Sequence, residues 1–370
     1  MAATERIRRA LRGAQRLLGA LGGLLATGHA QAADLPEDRA DLLYHSYNGG
    51  GVDAYGPALL VRKKLLNKVS LSASYYADIV SNASIDVVTT ASPYRETRNE
   101  FGFAVDHAVR DALITLGVSR SKEPDYIAEA VNLDIAQEVF TGMTTVVLGY
   151  TRASDDVGEV NRGFFDTARH WRYRLGLTQI LTPRWLASAN FEVVSDDGYL
   201  GSPYRSALVF GAAVPEKMPR TRSSRALMFR AIGEISPGMS VRGSYRYFWD
   251  TWDIKAHTFD LGVSRHFGEK WLGDAYVRGY TQDGAVFYSD NASTETLYLT
   301  RNRQLSDYKN VAVGVKAAYT WMRVPGSYEV RLSGALEYIK TDYSDFTDVR
   351  SGSLYSYNAT IGQVFMTVNF

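Results

Sequence analysis

The feature that most limits what this 370-residue chain can fold into is a two-residue rhythm that recurs over segments of about ten residues. In 239–249, Met239, Val241, Gly243, Tyr245, Tyr247 and Trp249 share one face, and Ser240, Arg242, Ser244 and Arg246 share the other. In 185–194, Trp185, Ala187, Ala189, Phe191 and Val193 oppose Leu186, Ser188, Asn190 and Glu192. The same split sets Val311, Val313, Val315, Ala317 and Tyr319 against Ala312, Gly314, Lys316 and Ala318, and sets Tyr328, Val330, Leu332, Leu336 and Tyr338 against Glu329, Arg331, Ser333 and Glu337. Side chains along a strand point alternately to opposite faces, so each segment is a strand with one apolar face and one charged or small face. A periplasmic β-sandwich alternates as well, with its apolar faces turned onto each other, so alternation alone leaves that architecture open.

The connections and the last strand argue for a membrane barrel. Short turns at 67–68, 110–111, 141–142, 182–184, 236–238, 268–269 and 323–327 interleave with connections at 81–96, 122–125, 153–166, 195–222, 250–253, 283–308 and 341–353, most of them long. Tight turns on one rim and long loops on the other are how outer-membrane barrels are built. Beyond the first thirty-two residues no window holds eighteen consecutive apolar residues, so a membrane crossing must be made by strands of a closed barrel. Fifteen strands are countable from Pro57 onward, and 41–47 supplies a first strand joined through a loop at 48–56. The expected fold is an all-β transmembrane antiparallel β-barrel of sixteen strands, with fourteen as the alternative because the earliest strands alternate poorly. Short periplasmic turns, long extracellular loops and both termini in the periplasm complete it. In 360–370, Gly362, Val364, Met366, Val368 and Phe370 share a face and the chain ends on an aromatic ring. This ending resembles the C-terminal signature read by barrel-assembly machinery, which makes that machinery an expected partner of Phe370, alongside outer-membrane lipid.

Arg6, Arg8, Arg9, Arg12 and Arg16 precede an apolar run at 17–26, and Ala30-Gln31-Ala32 follows. That order is a cleavable secretory signal over 1–32, leaving 33–370 as a single outer-membrane barrel domain. The run is too short to span a bilayer. Losing five Arg and one Glu turns 41 basic and 40 acidic residues into 36 and 39, and no basic cluster remains of the kind that nucleic acid requires. Cysteine is absent, which excludes disulfides, thiolate metal sites and covalent c-type haem. Tyr, at 24, outnumbers 15 Phe and 6 Trp together, as suits side chains whose apolar body and polar tip sit at a membrane girdle.

Several stretches carry a family likeness: Tyr47-Asn48-Gly49-Gly50-Gly51-Val52; Gly56-Pro57-Ala58-Leu59-Leu60-Val61-Arg62-Lys63; Ala83-Ser84-Ile85-Asp86-Val87-Val88-Thr89-Thr90-Ala91-Ser92-Pro93-Tyr94; Ser121-Lys122-Glu123-Pro124-Asp125-Tyr126; and Ser202-Pro203-Tyr204-Arg205 with Pro219-Arg220-Thr221-Arg222. They resemble the DUF3570 family of bacterial proteins across essentially the whole of 33–370. The resemblance implies an outer-membrane barrel of uncharacterised function. Through the association of such proteins with flavin-transferring and other extracytoplasmic redox proteins, it also implies a sleeve for a small periplasmic or lipoprotein redox partner.

The residues themselves offer three chemistries. Alternation places Arg172, Arg174, Glu192, Arg242, Arg246, Asp260, Asp274, Arg278, Lys316, Glu329, Arg331 and Glu337 on the barrel interior, because Arg or Lys facing lipid at mid-membrane costs roughly 2–4 kcal/mol. They either line a conduction path or pair across the lumen and brace it shut. Asp78, Asp86 and Glu96, with nearby serines, offer oxygen donors for a hard cation, while the plainer reading is a loop whose polar side chains satisfy its own turns. His45, His107, His170, His257 and His266 fall in no nucleophile elbow, zinc motif or phosphate loop, so they read as girdle or rim residues. An outer-membrane hydrolase stays the minor alternative. The expectation is a pore, transport conduit or scaffold, neither an enzyme nor a carrier of its own cofactor.

Overall fold

The computed structural model describes residues 34–82, 94–159 and 163–370; the expected signal segment lies outside them. Sixteen antiparallel strands close into one barrel. They are β1 (Arg39–Gly49), β2 (Val52–Leu66), β3 (Val69–Asn82), β4 (Tyr94–Val109), β5 (Ala112–Lys122), β6 (Tyr126–Val139), β7 (Thr144–Glu159), β8 (Phe164–Thr182), β9 (Trp185–Gly198), β12 (Thr221–Ser236), β13 (Met239–Asp250), β14 (Lys255–Phe267), β15 (Trp271–Gln282), β16 (Tyr308–Val324), β17 (Tyr328–Asp348) and β18 (Ser353–Asn369). Between β9 and β12, β10 (Ser206–Val209) and β11 (Ala212–Pro215) form a hairpin of their own. The ring is sealed by its first and last strands, paired from Arg39↔Asn369 to Gly49↔Ala359. Just beyond the seam the Phe370 N–H donates to the Asp38 carbonyl at 3.1 Å.

The count is therefore sixteen, with 41–47 inside β1, but three connections differ from expectation. Residues 48–56 are not a loop: Gly50 and Gly51, with φ of 59° and 76°, make a two-residue turn, and β2 pairs at once from Val52. Both positions need left-handed backbone, which glycine adopts without strain. At 153–166 and 341–353 the strands run on, β7 to Glu159 and β17 to Asp348, because continued pairing satisfies backbone groups that an open loop would leave to water. Among the described residues two connections stay long, 199–220 and 283–307, and both lie at the same end of the barrel.

The outer face removes the sandwich alternative. Val311 (54 % exposed), Leu336 (60 %) and Val364 (64 %) on β16, β17 and β18 face outward with no second sheet over them, and comparable residues recur around the ring. An apolar surface this extensive is stable only against lipid. Aromatic pairs lie on it: Tyr150–Tyr173 (5.4 Å) and Tyr245–Phe259 (4.7 Å) about mid-strand, and Trp271–Tyr319 (4.7 Å) at the short-turn end. The strands carry the crossing; no helix of the described residues is long and apolar enough to do so.

Candidate functional site

The inner wall carries the chemistry. Arg172 and Arg174 stand on β8, Glu192 on β9, Arg242 and Arg246 on β13, Asp260 on β14, Asp274 and Arg278 on β15, Lys316 on β16, and Glu329, Arg331 and Glu337 on β17, all in the phase opposite the lipid-facing residues. Their contacts run along the wall. Arg172 lies 3.6 Å from Glu192, Arg278 3.4 Å from Asp260, and Arg331 and Arg323 each 2.5 Å from Glu329. Arg242 grips Asp274 with both terminal nitrogens, Nη2 donating to Oδ1 at 2.9 Å, while Ser264 donates to the same carboxylate. Arg174 pairs with Asp134, and the Tyr276 hydroxyl donates to Glu337. Lys316 rests 4.5 Å from the centre of the Phe365 ring and Arg246 5.4 Å from that of Phe248. Pairing across the lumen was one expectation for these charges; the pairs observed join the same, adjacent or next-but-one strands, because a side chain reaches two strands along the wall more easily than it reaches the far side.

Reaching the next-but-one strand requires a gap on the strand between, and glycine supplies it. Asp134, Gly149 and Arg174 form one row across β6, β7 and β8, and a Cβ on Gly149 would stand 2.5 Å from Asp134 Oδ1 and 2.9 Å from Arg174 Nε. Tyr276, Gly314 and Glu337 repeat this across β15, β16 and β17, with the tyrosine ring laid over the glycine. Arg242 crosses Gly262 toward Asp274, and a Cβ there would meet its guanidinium carbon at 2.5 Å. Glycine inside a strand weakens it unless something must approach closely, and here a polar side chain does. The sequence signal was available: these glycines occupy the inward phase of their strands.

A second polar centre lies on β1 to β5. His45 pairs in register with Gly56 of β2, and beyond Gly56 its Nε2 reaches Asp78 Oδ1 of β3 at 2.6 Å. The Tyr76 hydroxyl donates to Asp78 at 2.9 Å and lies 2.8 Å from His45 Nε2, with the two rings stacked at 5.0 Å. Asp78 is fully buried, so it is no loop ligand as the cation reading had it; it is an inward residue of β3, held by its own wall. Asp86 lies outside the described residues. Glu96 keeps acidic company, but with Glu123 and Asp125 across the β5–β6 turn, their oxygens within 4.8 Å of one another. Sequence spacing hides that trio because Glu96 meets the other two only through the pairing of β4 with β5.

Of the remaining histidines, His257 meets Tyr245 on the outer face at 2.8 Å, His107 Nδ1 lies 3.1 Å from the Lys68 carbonyl, and His266 stands near the short-turn rim. His45 and His170 depart from the girdle-or-rim expectation by occupying the inner wall. His170 is clasped between Asp196 at Nδ1 (2.7 Å) and Asp155 at Nε2 (3.2 Å), so both ring nitrogens are engaged with carboxylates.

Sequence reading missed a cap at the long-loop end. Segment 283–307 turns inward through a 3-10 turn, Arg303–Leu305, tied down where Gln282 of β15 donates to the carbonyls of Gln304 (3.0 Å) and Ser306 (2.8 Å). Leu305 and Ala285 pack with Trp252 and Ile254 of the β13–β14 turn, against Leu200, Met218, Phe248 and Phe287. Arg303 is buried over the Tyr355 and Tyr357 rings of β18. Segment 199–220 joins the cap: Gly211 N–H donates to Asn291 at 2.8 Å, Lys217 and Leu299 exchange backbone bonds, and Glu216 accepts from Thr300 beside Arg205. Burial pushes the Tyr288 hydroxyl above its ordinary pKa, so it stays a donor to the Asp345 carbonyl, 3.1 Å away.

Comparison with known proteins follows this geometry. The model of the family described as "Protein of unknown function (DUF3570)" matches residues 71–168 and 161–360. No curated protein matches the sequence. The fold is similar to that of a bacterial polysaccharide outer membrane secretin, with a TM-score of 0.55 and 9 % identity over 90 % of this chain and 98 % of that chain. A second solved structure, the outer membrane protein OpdK from Pseudomonas aeruginosa, matches with a TM-score of 0.44 and 12 % identity over 90 % of this chain and 99 % of that chain. At 9 % identity the first likeness speaks for the barrel fold alone.

Proposed function

The chain belongs to the DUF3570 family, and we propose that this member is an outer-membrane conduit for small hydrophilic solutes, exported by its 1–32 signal and seated with its termini and short turns in the periplasm. The observation that carries this reading is a closed sixteen-strand ring whose inner wall is lined by charges paired along the wall. Eight strands leave an interior that side chains fill; sixteen leave an aqueous channel. Charge pairs laid flat on that wall keep it polar and wet without bridging it. The cap of 199–220 and 283–307 then narrows the outer mouth over the β12–β18 sector. Assembly through the C-terminal strand, ending at Phe370, belongs to the same reading.

The test is reconstitution of purified, heat-modifiable protein into planar bilayers. Discrete conductance steps are expected. Membranes that stay silent with protein shown to be folded would overturn the conduit.

A further inference from the structure

The two halves of the inner wall are chemically unlike. From β3 to β6 its inward phase carries more carboxylates than cations, Asp78, Glu100, Asp106 and Asp134 against Arg98, set among small residues such as Ser72, Ser74, Gly102, Gly117 and Ser119. From β12 to β17, below the cap and its Arg222–Asp250 pair, the inward phase carries seven cations, Arg230, Arg242, Arg246, Arg278, Lys316, Arg323 and Arg331, and five carboxylates, Asp260, Asp274, Glu329, Glu337 and, at the short-turn rim, Glu234, which accepts from the Gly238 N–H at 3.2 Å.

Each carboxylate is already engaged. Asp274 holds Arg242 in a fork and accepts from Ser264; Asp260 faces Arg278; Glu329 is shared by Arg323 and Arg331; Glu337 accepts from Tyr276. Arg230 and Lys316 are left without an ion pair among the described residues. They are not isolated: Lys316 stands in register with Asp274 and Arg230 in the row of Asp260, but those carboxylates already hold Arg242 and Arg278, and the Arg242 charge repels both free cations while that of Arg331 repels Lys316. Like charges gathered on one wall repel one another, and an ion of opposite sign entering between them is favoured twice, by attraction and by relief of that repulsion. Aromatic faces set the cations against the wall: Phe365 beneath Lys316, and Tyr276 beneath Arg242 (5.8 Å) and Arg278 (5.7 Å).

We propose that Arg230, Arg242, Lys316 and Arg331 form an anion-binding track on the β12–β17 wall, and that the solutes this barrel passes are small compact anions, organic carboxylates or inorganic phosphate. The second half of that statement rests on the conduit reading; the first does not.

Two measurements separate them. In planar bilayers under a KCl gradient, the reversal potential is expected to report chloride over potassium. The double variant R230Q/K316Q is expected to lose that preference by roughly twofold per charge removed, as screened charges in a wet lumen should, and R230K/K316R to keep it. Channels that are open but unselective or cation-selective would overturn the anion track and leave the conduit standing. Silent membranes would end the conduit, and the track is then decided by heat-modifiability in detergent with inorganic phosphate. A phosphate-dependent rise in the transition temperature, absent from R230Q/K316Q, supports it, and no rise in the unaltered protein overturns it.

Discussion

Replacing Gly56 with alanine is expected to destabilise the folded barrel by about 3–5 kcal/mol, whereas the same change at Gly279 is expected to be close to neutral. At Gly56 the new Cβ would overlap the Ala77 carbonyl of β3, standing 2.8 Å from its carbon, and backbone cannot rotate aside as a side chain can. Relief requires β2 and β3 to part, and Gly56 is the residue over which His45 and Asp78 meet, so parting them strands a fully buried carboxylate. Gly279 faces outward on β15 with open space where its Cβ would lie. Gly314 should fall between. There the obstacle is the Tyr276 ring, which can swing away at the loss of its bond to Glu337, about 1–3 kcal/mol for a carboxylate left without that donor. Urea unfolding in lipid vesicles, followed by the heat-modifiable band, measures all three, and equal midpoints for the Gly56 and Gly279 variants would refute the role given to these inward glycines.

The contrast shows which parts of this molecule can be read from the chain alone. Strand phase is local: Val311 outward and Lys316 inward follow from parity, since lipid on one side and water on the other impose opposite demands on successive residues. Even β3, where Asp78 reads as a loop residue, obeys it, with Leu71, Ala73, Tyr75, Ala77 and Ile79 outward against Ser70, Ser72, Ser74, Tyr76 and Asp78. Partnership is not local. That Arg242 takes Asp274, or that Glu96 joins Glu123 and Asp125, depends on the stagger of strands far apart in sequence. The cap is the extreme case. Segments 199–220 and 283–307 have no periodicity, and their meeting at Val209↔Ala292 and Lys217↔Leu299 is set by where β9–β12 and β15–β16 fall around the ring.

Replacing residues 286–301 with a short Gly-Ser turn is expected to raise single-channel conductance several-fold while leaving the heat-modifiable band in place. The current through a water-filled pore is governed by its narrowest cross-section, and this segment covers the mouth over β12–β18. The deletion spares the anchors that fold the stem inward, since Gln282 still meets Gln304 and Ser306, and no barrel pairing involves the deleted residues. It removes what holds the cap's outer part: Phe287 edge-on to Trp252 at 5.2 Å, Tyr288 on Asp345, and Arg301, which donates to the Thr347 carbonyl at 2.6 Å and lies 4.3 Å from the Phe346 ring centre. Trp252→Ala is the milder form of the same experiment. Its ring is buried among Ile254, Ala285 and Leu305, and truncation of such a ring costs about 3–5 kcal/mol of local packing. A loosened cap that visits open and closed positions should then appear as current fluctuating between levels, where the deletion gives one steady high level. Unchanged conductance in both variants would move the constriction down to the wall of Arg230, Arg242 and Lys316, and the same charges would then set both how much passes and which sign of ion is preferred.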